Sequence, residues 1–552
     1  MSDTTAAVLQ IGAVVLVLAL AYRPLGDHLY RSLTSPKHLA VERAGYRVMR
    51  VDPDAEQRWS TYLMSVLGFS LASVLVLFGL ARLQDHLPMG APAMDPAGAW
   101  NAAVSFVTNT NWQWYSGEVA AGNLLQMAGF AVQNFLSAAV GIAVVAALAR
   151  GFARSGTDGR VGNFWSDLVR VTVRVLLPLA FVAAIVLVAG GVIQNLGSHS
   201  EITTLAGGSQ HVLGGPVASQ EAIKELGTDG GGFFNANSAH PYENPAPWTS
   251  TVEVVLLLAI PFSLPRTFGL LVGDRRQGTA ILAAMVSLWI AAVGFLTWAE
   301  LAGAGAAPLA AAGALEGKEV RFGEAASALF AASTTMTSTG AVNSMHDSLT
   351  AQGGGVAMLG MLLGEVAPGG VGSGLYGMVI LAIVAVFLAG LMVGRTPEYL
   401  GKKIGREEIT IVALAVLTMP AVVLVGSAVA VSVPAGLAGR LQGGPHGLSE
   451  IVYAFASAGN NNGSAFAGLS TGTTFYATLL GVAMLVGRFV PIALVLALAG
   501  RFARQRRVPA SAGTLPTHTP LFVGLLVVVT LVVVGLTFVP VLSLGPVVES
   551  LS

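Results

Sequence analysis

Four short runs rich in Gly, Asn, Ser and Thr are the residues of this sequence best suited to binding an ion. They recur roughly every 110 to 125 residues, as Thr-Asn-Thr-Asn-Trp-Gln at 108–113, Gly-Thr-Asp-Gly-Gly-Gly-Phe-Phe-Asn at 227–235, Thr-Ser-Thr-Gly-Ala-Val-Asn at 337–343 and Gly-Asn-Asn-Asn-Gly-Ser-Ala-Phe at 459–466. Irregular loops of this kind can aim carbonyl oxygens at an axis and replace an ion's water shell. Uncharged oxygens suit a large, weakly hydrated monovalent cation, whereas Mg²⁺ normally demands carboxylates.

A helical-looking stretch precedes each run, at 97–107, 216–226, 322–334 and 446–457. Each stretch is about half the length needed to cross a membrane. A short helix that enters the membrane would point the negative end of its dipole at a central cavity, which favours a cation. A single such loop is more often a surface turn. Four loops at matching positions favour a cation filter, with glycine supplying unusual backbone angles at least cost.

The composition indicates a protein that lies mostly in lipid. Charged residues make up 11% of the 552 residues, against about 25% in average soluble domains. Hydrophobic residues make up 54%, so we predict an all-α polytopic membrane protein. Cys is absent, which excludes disulfides, zinc-thiolate sites, iron–sulfur clusters and cysteine nucleophiles. The 67 glycines suggest close helix packing or irregular backbone around a cavity.

Ten apolar runs are long enough to form transmembrane helices. They lie near 6–22, 61–81, 124–148, 171–193, 252–272, 280–298, 375–393, 409–431, 475–499 and 521–541. The first run lacks the basic segment and clean cleavage site of a signal peptide, so we expect it to be retained. One set of connecting loops holds 23 of the 29 Lys and Arg residues and the opposite set holds 5. This bias predicts cytoplasmic basic loops and two extracytoplasmic termini.

The order of these features predicts four divergent copies of a helix, pore-loop, helix unit in a pseudo-fourfold arrangement. The expected units are a first helix with its cytoplasmic loop at 1–60, pore repeats at 61–150, 171–272, 279–395 and 409–500, and a last helix at 519–552. The third repeat contains a glycine-rich break at 364–374. Non-helical backbone at membrane depth must line water or protein, so we expect this break to be an intramembrane gating loop below the filter.

Two ionisable residues fall where lipid would make them costly, Glu365 in the glycine-rich break and Arg488 inside the run 475–499. Central charges cost roughly 3 kcal/mol or more on insertion scales, so they usually pair or face a cavity. We hypothesise that both face the ion pathway and pair across it. The alternative is that each is structural glue between repeats.

The sequence contains no visible means of using ATP. It has neither the G-x-x-x-x-G-K-[ST] phosphate loop nor a D-K-T-G-T phosphorylation motif. A membrane-embedded enzyme would need a nucleophile–base pair or a metal cluster at membrane depth. We find no His/Asp/Glu cluster on the predicted spanning helices, which disfavours that class.

Several longer motifs resemble those of the KdpA subunits of bacterial KdpFABC potassium-transporting ATPases, distant relatives of the Trk, Ktr and HKT potassium transporters. They read Val-Thr-Asn-Thr-Asn-Trp-Gln at 107–113, Gly-Phe-Phe-Asn-Ala-Asn-Ser at 232–238, Gly-Glu-Val at 364–366, Gly-Gly-Val-Gly-Ser-Gly-Leu-Tyr at 369–376, Gly-Arg-Thr-Pro-Glu-Tyr-Leu-Gly-Lys-Lys at 394–403 and Asn-Asn-Asn-Gly-Ser-Ala-Phe at 460–466. The resemblance covers almost the whole chain.

The resemblance implies which residues form the K⁺ selectivity filter. Each loop supplies two coordinating residues, at its first and second filter positions, and a residue that follows them at the third. The twelve residues are Asn109, Thr110, Asn111, Thr228, Asp229, Gly230, Ser338, Thr339, Gly340, Asn461, Asn462 and Gly463. It also implies a gating or pathway role for Glu365, Gly369, Gly370 and Arg488. Two positions depart from the pattern: Asn111 stands where the other loops have Gly, and Asp229 where Asn looks more typical. The Asp229 carboxylate could lie at the entrance and concentrate cations, or only its carbonyl could matter.

The resemblance further implies a non-catalytic subunit of a high-affinity, ATP-driven K⁺ uptake complex in the bacterial plasma membrane. Its expected partners are a KdpB-like P-type ATPase subunit and KdpC-like and KdpF-like small subunits. No cofactor is expected, because K⁺ is the transported ion and the partner uses ATP. The alternative is a stand-alone K⁺ channel or ion-gradient-driven transporter of the Trk/Ktr type, which composition and topology alone do not exclude.

Overall fold

A computed structural model describes residues 3–156, 158–197, 199–303, 313–392, 394, 396–509 and 514–551. Within these ranges ten helices are long and apolar enough to cross a membrane, which confirms the predicted number. They are Thr4–Thr34, Trp59–His86, Leu125–Ala153, Phe164–Ala189, Pro247–Val272, Arg275–Ala302, Ser373–Met392, Arg406–Ser432, Thr474–Arg504 and Pro520–Leu551. Most extend past the apolar runs, because a helix can continue into the polar region once its lipid-embedded part is formed.

The third spanning helix forms the centre of the molecule. Its run from Ala138 to Ala149 is buried throughout and consists mainly of Ala, Val and Ile. Small side chains let neighbouring backbones approach closely in lipid. The first, second and eighth spanning helices, by contrast, expose many large apolar side chains, including Leu16, Leu71 and Leu417. These exposed faces suit contact with lipid or with partner helices.

Four shorter helices lie between the spanning helices, close to the predicted positions. They are Pro96–Val107, Val217–Gly227, Gly323–Met336 and Gly444–Asn460, and we call them short helices one to four. The first begins at Asp95, whose side chain accepts hydrogen bonds from the backbone of Ala97 and Gly98, an N-cap that satisfies otherwise unpaired donors. All four are buried along most of their length, so they reach into the bundle.

The glycine-rich break has a helix on both sides. Ala351–Leu362 precedes it and Ser373–Met392 follows it. The segment 363–372 between them, which we call the broken segment, contains Gly364, Gly369 and Gly372 with φ of +79°, +79° and +97°. These left-handed angles interrupt the helix, and glycine takes them without steric cost. The break predicted at 364–374 overlaps this segment, whereas the helix before it was not predicted.

In the described ranges, the strands form three two-stranded antiparallel pairs, beside one isolated bridge between Lys318 and Ser344. Gln57–Arg58 pairs with Arg160–Gly162, His199–Thr203 with Ser209–Leu213, and Glu398–Tyr399 with Lys402–Lys403. In the longest pair, Glu201 lies opposite His211 and Ile202 opposite Gln210. All three pairs lie in the connections between helices, so the protein remains an all-α bundle.

Candidate functional site

Each short helix ends in the same backbone turn. The first filter position after it takes a left-handed φ, +67° at Asn109, +49° at Thr228, +56° at Ser338 and +60° at Asn461. The next N–H then donates to the carbonyl five residues earlier, Thr110 to Ser105 at 3.0 Å, Asp229 to Lys224 at 3.0 Å, Thr339 to Thr334 at 3.3 Å and Asn462 to Ser457 at 2.8 Å. This closure is the Schellman arrangement. It starts all four loops with the same geometry, although their sequences differ.

The third filter position explains why three loops carry glycine and one does not. Gly340 and Gly463 have φ of +81° and +107°, as expected for glycine. Asn111 reaches a left-handed φ of +54° without glycine, because asparagine tolerates that region better than most residues. Gly230 is not left-handed; its neighbour Gly231 is, at +67°. The backbone-angle argument therefore fails for Gly230, which needs its small size instead.

The four loops converge so closely that side chains at the glycines would collide with carbonyl groups. A Cβ atom on Gly230 would lie 2.5 Å from the Thr110 oxygen and 2.8 Å from the Asn462 oxygen. A Cβ atom on Gly463 would overlap the Thr110 carbonyl, and one on Gly340 the Asn462 carbonyl. Real Cβ contacts essentially never fall below 3.0 Å. The carbonyls of loops one and four thus lie against the glycines of the other loops.

Side chains at the first filter position connect neighbouring loops. Asn109 Nδ2 donates to the Thr228 carbonyl at 2.8 Å, and Ser338 Oγ donates to the Asn461 carbonyl at 2.8 Å. Asn461 Nδ2 in turn donates to Thr110 Oγ1 at 3.0 Å. These bonds link loop one to two, three to four and four to one. Their effect is to fix the spacing of the backbone rather than to present side chains to an ion.

The carbonyls at the second filter position have no partner within the described part of the chain. No hydrogen bond reaches the backbone oxygen of Thr110, Asp229, Thr339 or Asn462, although all four residues are 0% exposed. Buried carbonyls are nearly always hydrogen-bonded or bound to another group. Four free oxygens on four converging loops are what a dehydrated monovalent cation requires.

The broken segment lies directly against these loops. Asn462 Nδ2 donates to Glu365 Oε1 at 2.7 Å, and the Val371 N–H donates to Thr228 Oγ1 at 3.0 Å. The Gly369 N–H donates to the Met336 carbonyl at 2.9 Å, at the end of short helix three. A Cβ atom on Gly370 would lie 2.9 Å from the Ser338 Cβ atom. The residues proposed from sequence for the filter and for the gate are therefore one contact network.

The predicted ion pair between Glu365 and Arg488 is wrong. Arg488 Nη2 donates to the Ser137 carbonyl at 2.9 Å, on the third spanning helix, while Glu365 is bound by Asn462. Ser137 Oγ donates in turn to Asp229 Oδ1 at 3.4 Å, so Ser137 links Arg488 to the Asp229 carboxylate. Asp229 is 0% exposed, and its carboxylate is buried against Ser137 of the third spanning helix.

A cavity of about 130 Å³ lies next to the network. Its wall includes Glu365, Tyr376, Asn461 and Gly487, and it extends to Val533 and Phe538 of the tenth spanning helix. One water molecule needs about 10–15 Å³ of such space, so the cavity holds several. A partly hydrated cation would fit there, so the cavity offers space for an ion that has left the loops.

Within the described residues, ten spanning helices around four converging loops define a polytopic membrane protein. The chain is similar to the crystal structure of the potassium transporter TrkH from Vibrio parahaemolyticus, with a TM-score of 0.54 over 90% of this chain and 99% of that one, at 16% identity. The sequence model of the KdpA family, the potassium-transporting ATPase A subunits, matches residues 12–551. The chain belongs to this family.

Curated relatives match along their whole length. The chain is 60% identical to the potassium-transporting ATPase potassium-binding subunit of Kineococcus radiotolerans, over 100% of this chain and 99% of that protein. It is 60% identical to the subunit of the same name from Clavibacter michiganensis, over 100% of both chains. The corresponding protein of Mycolicibacterium smegmatis is 59% identical, again over 100% of both.

Proposed function

We propose that the chain binds extracytoplasmic K⁺ and passes it across the membrane as the ion-selective subunit of a K⁺-transporting ATPase. The observation that carries this function is the set of four unpartnered, buried carbonyls at Thr110, Asp229, Thr339 and Asn462. The other eight filter residues hold these carbonyls in place, through the left-handed turns, the cross-loop bonds and the glycine contacts. Selectivity then comes from neutral oxygens at a fixed spacing.

The broken segment provides the exit from the filter. Glu365, Gly369 and Gly370 touch the loops, and the cavity beside Glu365 receives the ion after it leaves them. Arg488 contributes through Ser137 and Asp229 rather than by pairing with Glu365. Its positive charge near loop two repels cations bound in the pathway, and this repulsion favours their onward movement.

The energy comes from another subunit. Neutral carbonyls select an ion but perform no work, and the sequence lacks both nucleotide motifs. We propose a KdpB-like P-type ATPase subunit as the source of energy, with KdpC-like and KdpF-like small subunits completing the complex and no cofactor in this chain. Family membership favours this assembly over a stand-alone Trk/Ktr-type transporter, and co-purification with a phosphorylatable subunit distinguishes the two.

The distribution of basic residues sets the orientation. With 23 Lys and Arg residues on one side and 5 on the other, the positive-inside rule places both termini outside the bacterial plasma membrane. The four short helices then enter from the outside, and the filter opens toward external K⁺.

Potassium binding to the purified full-length chain tests the filter. We expect saturable K⁺ binding by isothermal titration calorimetry, with Na⁺ a weak competitor. Thr339→Ala is a useful contrast, because it keeps the backbone carbonyl and removes only a hydroxyl that contacts Thr337; it should retain K⁺ binding. A chain that binds no K⁺, or that binds Na⁺ equally well, would contradict the proposal.

A further inference from the structure

A second cluster of charged side chains surrounds Lys224 of short helix two, and none of these residues is a filter position. Glu221, Lys224 and Glu225 come from that helix, Glu243 from the segment after loop two and Glu253 from the fifth spanning helix. All five are at most 1% exposed. The cluster is not visible in the sequence, because only the fold brings Glu253 next to Glu221 and Glu225.

Lys224 satisfies part of this cluster. Its ammonium lies 2.7 Å from Glu221 Oε2 and donates to Asn237 Oδ1 at 2.9 Å. It is farther from Glu225 and Glu243, at 3.6 and 3.7 Å. One ammonium against four carboxylates leaves a formal charge of −3 if all are ionised. Isolated buried charges of this kind are costly unless they are paired, protonated or bound to a metal.

Two carboxylates remain without any hydrogen-bond donor. Neither oxygen of Glu225 and neither oxygen of Glu253 is hydrogen-bonded, and both residues are 0% exposed. One oxygen each from Glu221, Glu225 and Glu253 lie within 4.8 Å of one another.

We propose that Glu221, Glu225 and Glu253 bind a divalent cation, with Ca²⁺ the best fit. Two oxygens bound to one Ca²⁺ at 2.3–2.6 Å are at most about 5.2 Å apart, which the observed spacing satisfies. Mg²⁺ usually retains several waters, and side chains this deeply buried offer few solvent-facing positions. A divalent ion offsets more of the formal charge than K⁺ would. This site contains none of the K⁺ filter positions.

The bound ion would position loop two. It would join short helix two to the start of the fifth spanning helix, and the carbonyl of Lys224 accepts the Asp229 N–H that closes the turn into the loop. In the proposed orientation the cluster is near the outer face, so external Ca²⁺ would supply it. The role is structural, and Ca²⁺ would not enter the K⁺ pathway.

Metal content and chelator sensitivity test this site. The full-length chain is purified without chelator, its Ca²⁺ measured by mass spectrometry, and its melting temperature followed with EGTA and with added Ca²⁺. We expect about one Ca²⁺ per chain and a melting temperature that falls in EGTA. Glu253→Gln and Glu225→Gln should each weaken Ca²⁺ binding at least about tenfold, since even outer-shell changes weaken metal sites by that much.

The variants should still fold, because a neutral Gln amide costs less to bury than a carboxylate that has lost its cation, and their melting temperatures should depend less on EGTA. Glu201→Gln, an exposed residue of the strand His199–Thr203, is the matched control and should behave as the parent chain. The proposal is overturned if the parent chain holds no Ca²⁺ and shows a protonated-carboxyl infrared band that Glu253→Gln removes. K⁺ binding at the filter is measured separately, so the two proposals can fail independently.

Discussion

At the scale of single residues, the filter glycines differ in what they provide. Gly340 and Gly463 combine a left-handed φ with a neighbouring carbonyl where a Cβ atom would lie, whereas Gly230 has only the second constraint. Strained φ and close approach add to one another. The three positions should therefore not respond equally to the same substitution.

We predict that Gly340→Ser and Gly463→Asp weaken K⁺ affinity and admit Rb⁺ or Na⁺ more readily, because each pushes a carbonyl ligand out of place. Gly230→Ala should be milder, since Gly230 does not have a left-handed φ and only the close contact with neighbouring carbonyls is disturbed. Competition between K⁺ and Na⁺ in transport or binding assays measures the effect. Gly79→Ala is the control, because nothing lies within 4 Å of the added methyl group. Unchanged selectivity in all three filter variants would refute the filter assignment.

The buried charges near the filter allow a second prediction. Because Asp229 and Arg488 are connected through Ser137, Asp229→Asn should leave Arg488 with less compensation and lower the melting temperature. Arg488→Gln should do the same from the other side. The double variant should recover part of the loss, since breaking one partner of a buried pair costs more than replacing both.

Glu365→Gln provides the comparison for that cycle. Glu365 hydrogen-bonds Asn462, not Arg488, so its effect should add to that of Arg488→Gln within about 0.5 kcal/mol, as for independent sites. Coupling between Glu365 and Arg488, with none between Asp229 and Arg488, would restore the sequence-based pairing that the structure contradicts.

At the scale of elements, the last helical turn contacts short helix four. His446, near the start of short helix four, contacts Glu549 through Nδ1 at 2.8 Å and Asp347 through Nε2 at 3.0 Å. Glu549 belongs to the last helical turn, Val548–Leu551. Hydrogen bonds to Asp347 and Glu549 raise the pKa of His446 from 6.5 to about 10. A charged imidazole therefore joins three segments that are distant in sequence.

This contact predicts a pH-dependent contribution to stability. Because the pKa of His446 is raised in the folded state, its ion pairs stabilise the fold fully below pH 6.5, the unfolded pKa. This contribution is lost as the pH rises through about 10. We expect His446→Gln to lower the melting temperature at pH 6 and to have progressively less effect as the pH approaches 10. Gly79→Ala, which adds a methyl group with nothing within 4 Å, should show no such trend. An effect of His446→Gln that is constant across this range would contradict the prediction.

The elements also show what sequence could and could not provide. The ten spans and four short helices were predictable, because apolar length and the half-length of 97–107 or 446–457 are local properties. The helix Ala351–Leu362 was missed because its glycines at 353–355 resemble a loop. The partner of Arg488 and the cluster around Lys224 could not be predicted from the sequence, because they depend on which helices pack together. The left-handed turns at Thr228 and Ser338 likewise carry no glycine that would mark them.

At the scale of the whole molecule, the four converging loops offer carbonyl groups to an ion, and the sequence has neither of the two nucleotide motifs. The loops are held by bonds to one another and to the broken segment, so an ion that pushes the carbonyls apart also acts on Glu365 and Val371. An ion site can influence a distant reaction only if binding biases a shared conformational equilibrium. The contact network between filter and broken segment is the physical basis for such coupling.

We therefore predict that the purified chain binds K⁺ but hydrolyses no ATP, and that ATPase activity requires a P-type partner. Filter variants such as Gly463→Asp should shift the K⁺ dependence of that activity toward higher concentration while leaving phosphorylation chemistry intact, because they change the ion-binding side of the equilibrium alone. The assay is K⁺-titrated ATP hydrolysis with and without partner subunits, using Gly79→Ala as control. ATP hydrolysis by the lone chain, or pump activity indifferent to filter variants, would contradict this division between ion selection and energy supply.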